Sequence, residues 1–176
     1  MNRAPATLDH AGIAARVPHA GSMCLLDRLV RWDNDEIECH AGDHTDAAHP
    51  LRDRDGGLDL GLPAAVAIEF AAQAMALHAA LATELATANS ERPTPGFLAS
   101  ARDVQMHAPR LDDAPGPLAV RARRLAGDER QAQYRFALHD AAGRLLVAGR
   151  ATVVLNSPLP VPAVPPAASA TAGERT

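Results

Sequence analysis

The run Ala67-Ile-Glu-Phe-Ala-Ala-Gln-Ala-Met-Ala-Leu-His78 is helical in composition and almost wholly apolar, yet it carries one carboxylate, Glu69. A carboxylate buried in a dry helix is costly unless a partner or a reaction uses it. Gln73 follows one helical turn later and shares its face, whereas His78 falls on the opposite face and makes a poor partner. Upstream, His49-Pro50-Leu51-Arg52 offers a histidine whose backbone is held extended by the following proline, as suits a side chain presented from a loop. A histidine and an acid with a raised pKa, meeting in one pocket, can perform general acid–base chemistry at neutral pH. Two plainer readings stay open on the residues alone: Glu69 and Gln73 satisfy backbone amides in the core, and His49 is a solvated loop side chain.

Other chemistries fit less well. Cys39, His40, His44 and His49, with Asp43 and Asp46 between them, are metal-ligand types, but their spacing matches no standard zinc signature, and no metal is expected. Gly21-Ser22 lacks the second glycine of a nucleophile elbow. All 17 basic residues are Arg, which removes Schiff-base, pyridoxal-phosphate and Walker lysine mechanisms. A net charge of −4, a pI near 6.0 and only three Phe, one Trp and one Tyr argue against a nucleic-acid binder. Cys24 and Cys39 are isolated thiols, the N-terminus shows no apolar signal region, and no apolar run reads as long enough to span a bilayer. The expectation is a cytoplasmic, reduced protein with no membrane association.

These residues need a frame to hold them. Residues 9–17 predict a short helix with Asp9 near its start, stopped by Pro18. Cys24 to Trp32 and Glu36 to His40 predict a hairpin around the turn Asp33-Asn34-Asp35. Residues 41–62 are Gly- and Asp-rich without a period, which predicts a long loop. Pro63 then opens a helix to Ala88 whose large apolar residues fall on more than one face, so it is central and surrounded. After a breaker at 89–96 come four strand-like segments, Phe97–Met106, Leu118–Leu125, Gln131–His139 and Leu145–Leu155, separated by turn residues. The order predicts an α+β fold, an antiparallel sheet of about 5–6 strands wrapped around one long helix, whose open edge favours dimerisation. Residues 10–155 form this domain, residues 1–9 a flexible N-terminus, and residues 156–176 a disordered Pro/Ala-rich tail.

Two segments give the chain a family likeness. Val17-Pro-His-Ala-Gly-Ser-Met-Cys-Leu-Leu-Asp-Arg28 and Leu62-Pro-Ala-Ala-Val-Ala-Ile-Glu-Phe-Ala-Ala-Gln73 resemble the Pro-His-Arg…Leu-Leu-Asp-Arg segment and the helix start of hotdog-fold 3-hydroxyacyl-[acyl-carrier-protein] dehydratases. The His-Pro-Leu-Arg and Ala-Gln-Ala-Met-Ala-Leu-His details look most like the small subgroup found in aryl-polyene and related pigment pathways. The resemblance implies dehydration of 3-hydroxyacyl thioesters on an acyl carrier protein, without metal or redox cofactor, in a homodimer or a heterodimer with another hotdog protein. It implies His49 as the base for the α-proton and Glu69 as the acid for the leaving hydroxyl, supplied by two protomers. Amides near Ala64 and Ala65 would polarise the thioester carbonyl, with Gln73 beside the substrate. A non-catalytic hotdog subunit and a hotdog acyl-thioesterase are the alternatives. Arg28, Arg31, Arg52, Arg54, Arg102, Arg121, Arg123 and Arg124 are either a solvated face or a docking patch for an acidic carrier, since guanidinium binds carboxylate and phosphate bidentately.

Overall fold

The computed structural model describes residues 7–86, 96–128 and 130–155. Residues 1–6, most of the breaker at 89–96 and the tail at 156–176 lie outside them. Leu8–Asp9 forms a two-residue strand, β1, and Asp9 caps helix α1 (His10–Ala14), its side chain accepting from the Gly12 amide at 2.9 Å. Strands β2 (Arg28–Trp32) and β3 (Glu36–Ala41) make the expected hairpin. The extended chain predicted from Cys24 joins the sheet only at Arg28, because the Leu25 amide is committed to the Gln73 side chain.

The segment at 41–62, expected to be a plain loop, contains a second hairpin, β4 (Asp53–Asp55) and β5 (Leu58–Gly61). Its two-residue turn is Gly56-Gly57, with φ of 55° and 87°, the left-handed pair that a type I′ turn demands. Both strands are exposed almost throughout, so no apolar alternation marks them.

A short 3₁₀ turn, Ala64–Val66, leads into α2 (Ala67–Ala86). Strands β6 (Phe97–Met106), β7 (Leu118–Gly127), β8 (Gln131–His139) and β9 (Leu145–Val154) complete one antiparallel sheet in the order β1-β2-β3-β7-β8-β9-β6. Inward rows such as Ile37, Ala122 and Phe136 alternate with outward charged residues, and the inward face closes over Phe70, Ala74, Leu77 and Leu81 of α2. Ala64–Ala86 does have the length and apolarity of a membrane span, contrary to the expectation from the sequence. Here those properties serve core packing, since the sheet covers most of the helix.

His78, on the far face of α2 from Glu69, is a buried tether rather than a site residue. Its Nε2–H donates to the Asp33 carbonyl at 2.8 Å, so its neutral Nδ1 accepts from the Tyr134 hydroxyl at 2.9 Å. Burial holds its pKa below the ordinary value. Tyr134→Phe strands a buried ring nitrogen and is expected to cost about 1–3 kcal/mol, read as a lower urea midpoint at unchanged slope. A midpoint equal to that of the wild type would refute the tether.

Candidate functional site

Leu62 to Ala64 reaches the helix along a fixed track. The Leu111 amide donates to the Leu62 carbonyl at 2.8 Å, and the Ala64 amide donates to the Pro109 carbonyl at 3.0 Å. Of the two amides that the resemblance places at the thioester, that of Ala64 is thus already used. Ala65 stands exposed at the next position.

One turn into α2, Glu69 meets His19, not His49. His19 Nε2 lies 3.0 Å from Glu69 Oε1, and Gln73 Nε2 donates to the same oxygen at 2.9 Å. Glu69 is only half-buried, its side chain 32% exposed, so the expectation of a dry carboxylate does not hold. Its pKa is lowered, opposite to the expected rise, because the hydrogen bond from His19, reinforced by Gln73, outweighs desolvation. The carboxylate is therefore ionised at neutral pH.

Gln73, fully buried, has every polar bond it can readily make inside the protein. Its Oε1 accepts from the Leu25 amide at 2.8 Å, and its Nε2 donates to the Met23 carbonyl at 2.8 Å as well as to Glu69. The side chain expected beside the substrate instead clamps the 23–25 segment to α2 and orients Glu69. His19 rides on the same clamped segment. Its signal is present in Val17-Pro-His19, but nothing local in the sequence pairs position 19 with position 69.

His49 lies in the loop before β4, 2% exposed, stacked on Phe70 with ring centroids 5.9 Å apart. Phe70 projects from α2 in a different direction from Glu69. The Leu51 amide donates to His49 Nδ1 at 3.2 Å, which puts the proton of the neutral ring on Nε2, and that atom is buried without a partner. Desolvation lowers the His49 pKa, so the ring is a neutral N–H donor at pH 7. His44, from the possible ligand set, points Nε2 at the Ala114 carbonyl at 3.1 Å. Among the described residues no group of three or more metal-ligating side chains converges.

One long helix wrapped by an antiparallel sheet defines a hotdog fold. A family model for ApeP-like proteins, described as ApeP dehydratase, matches residues 11–159, and the chain belongs to that dehydratase family. Among solved structures it is similar to a chain of the dehydratase heterocomplex ApeI:P from Xenorhabdus doucetiae, with a TM-score of 0.69 and 22% identity over 82% of this chain and 91% of that one. A thioesterase from Pseudomonas aeruginosa, in mutant form, shares the fold at a TM-score of 0.54 and 11% identity, covering 85% of this chain and 94% of that one. No curated protein matches the chain.

Proposed function

We propose that this protein dehydrates 3-hydroxyacyl thioesters carried on an acyl carrier protein, in polyene- or fatty-acid-type biosynthesis, and that it does so in a dimer with another hotdog subunit. The observation that carries the reading is the ionised Glu69 carboxylate, fixed at the helix start by His19 and Gln73. The family match supports dehydration over thioester hydrolysis. The heterocomplex formed by the similar Xenorhabdus doucetiae chain supports a second hotdog protein as partner.

The protonation states favour an exchange of the roles that the resemblance implies. Glu69 takes the proton from C2, the C3–O bond breaks as the enolate collapses, and Glu69 returns the proton to the departing hydroxyl, which leaves as water. His49, neutral and protonated at Nε2, donates a hydrogen bond to the thioester oxygen as enolate charge grows there. Within one chain the histidine beside Glu69 is His19, while His49 packs on Phe70, so His49 is assigned to the Glu69 of a second subunit, as the resemblance implies.

Incubation of the purified protein with a 3-hydroxyacyl carrier protein, alone and with the candidate hotdog partner, tests this. Trans-2-enoyl product is expected. Free acid instead would identify a thioesterase, and no product under either condition would sink the dehydratase reading. His49→Ala is expected to lower turnover by about 10²–10³-fold as a lost oxyanion donor. An unchanged rate would remove His49 from the chemistry.

A further inference from the structure

The register of the sheet places Arg102, Arg150, Arg135 and Arg123 directly opposite one another on β6, β9, β8 and β7. All four are exposed, on the outer face, because their neighbours Ala122, Phe136 and Ala151 point into the core. With strands about 4.8 Å apart, the ladder runs about 14 Å across the sheet. Like charges directly opposite each other oppose sheet formation, and three such pairs stand in succession here.

The local carboxylates relieve only Arg150 of this row. Glu36 stands opposite Arg123 in register, but its carboxylate is held by Arg31 at 2.5 Å. Glu38 binds Arg31 and Arg121, and Asp103 binds Arg150. Among the described residues Arg102, Arg123 and Arg135 make no ion pair. Between the ladder and the neighbouring row lies a groove of about 130 Å³, lined by Arg31, Arg121, Arg123 and Arg135 and by Glu36, which Arg31 neutralises. A chain with net charge −4 has thus gathered three guanidinium groups without a carboxylate partner, among the described residues, on the outer face of the sheet.

We propose that this arginine ladder docks the acidic carrier protein that brings the acyl substrate. The identity of the partner rests on the dehydratase reading, whereas the ladder itself does not. Carboxylates spaced along one face of a helix at i, i+3/i+4 and i+7 repeat every 5–6 Å, close to the spacing of the ladder, so an acidic helix laid across the strands meets one guanidinium per turn. Guanidinium forks bind carboxylate bidentately and lose little side-chain freedom in doing so. Nucleic acid fits the face less well, since among the described residues no aromatic side chain stands in register with the arginines of the ladder.

The test uses the full chain, with its hotdog partner where activity requires one. Binding of holo acyl carrier protein is measured for the wild type, for Arg123→Glu/Arg135→Glu and for Arg130→Glu, an exposed control outside the ladder. The double variant is expected to weaken Kd roughly tenfold or more, and to raise KM for the carrier-bound substrate by the same factor. Turnover of the same acyl group on free pantetheine stays unchanged, and Arg130→Glu alters neither quantity. The melting temperature of the double variant is expected to stay level, because the 135/150 pair becomes attractive while Glu36 gains a like charge opposite position 123. Added salt weakens binding by the wild type far more than by the double variant. Equal Kd for wild type and double variant, or no binding by the wild type, overturns the docking proposal. Failure to dehydrate the free pantetheine thioester overturns the dehydratase reading instead, and leaves the binding comparison standing.

Discussion

Glu69→Gln is expected to lower enoyl formation by about 10²–10⁴-fold, the usual weight of a general acid–base group, while the protein stays folded. The amide keeps the size of the carboxylate, and its oxygen can still accept from His19 and Gln73, the two donors that converge on Oε1. What it loses is the capacity to take a proton. The half-exposed position of Glu69 keeps the stability cost small. The pH profile separates this role from a structural one. Because His19 lowers the Glu69 pKa, the acid limb of kcat/KM lies below the ordinary glutamate range. His19→Ala removes the largest lowering influence, so the limb is expected to move to higher pH, with activity lost sooner on acidification. A Glu69→Gln enzyme that keeps its full rate, or an acid limb that His19→Ala leaves in place, would show that this carboxylate does not handle the proton.

The parts of the molecule that periodicity controls are legible in the amino-acid sequence. The four strands after the helix follow alternation and Gly- or Asp-bearing turns, and β6, β8 and β9 begin and end within a residue of the expected positions. The helix is marked by Pro63 and by apolar residues on several faces, which only an enclosing sheet can satisfy. The hairpin at Asp53–Gly61 escapes such a reading because both of its faces are wet, leaving Gly56-Gly57 as the one signal. Glu69 stands out as a candidate site residue, but its environment does not. Its exposure and pKa depend on His19 and on the clamp from Gln73 to Met23 and Leu25, contacts across some fifty positions that no local pattern encodes. The same limit applies to the arginines. Arg102 and Arg123 are visible as charges, yet only register aligns them with Arg135 and Arg150.

Asp112→Ala is expected to be the most destabilising single change near the site, by about 3–5 kcal/mol, as when one partner is removed from a buried ion pair. Its side chain is 5% exposed. Oδ1 accepts from the Leu62 amide at 2.9 Å and from Arg110 Nε at 3.1 Å, while Oδ2 meets Arg52 Nη2 at 3.0 Å and also binds Arg110. Gly61, at φ 87°, leaves the room that Arg110 occupies, since a Cβ there would collide with its guanidinium. Burial alone would raise the Asp112 pKa, but the hydrogen bonds from Arg110 and Leu62 prevail and hold it at about 2, against 3.8 for an ordinary aspartate. A depressed carboxylate stabilises the fold above its unfolded pKa and loses that contribution as pH falls through the folded one. The wild type should therefore lose about 2 kcal/mol between roughly pH 4 and 2 through this group, a component that Asp112→Ala lacks. Truncation also strands the Leu62 amide and leaves Arg52 with Asp59 alone, which accounts for the remainder. In a chain of this length the melting temperature should fall by about 10 °C. The loss reaches function because Leu62–Ala64 sets where α2 starts and hence where Glu69 sits, so kcat should fall even well below the melting point. A variant that melts like the wild type from pH 2 to 7 would show that the 109–112 segment is not what anchors the helix.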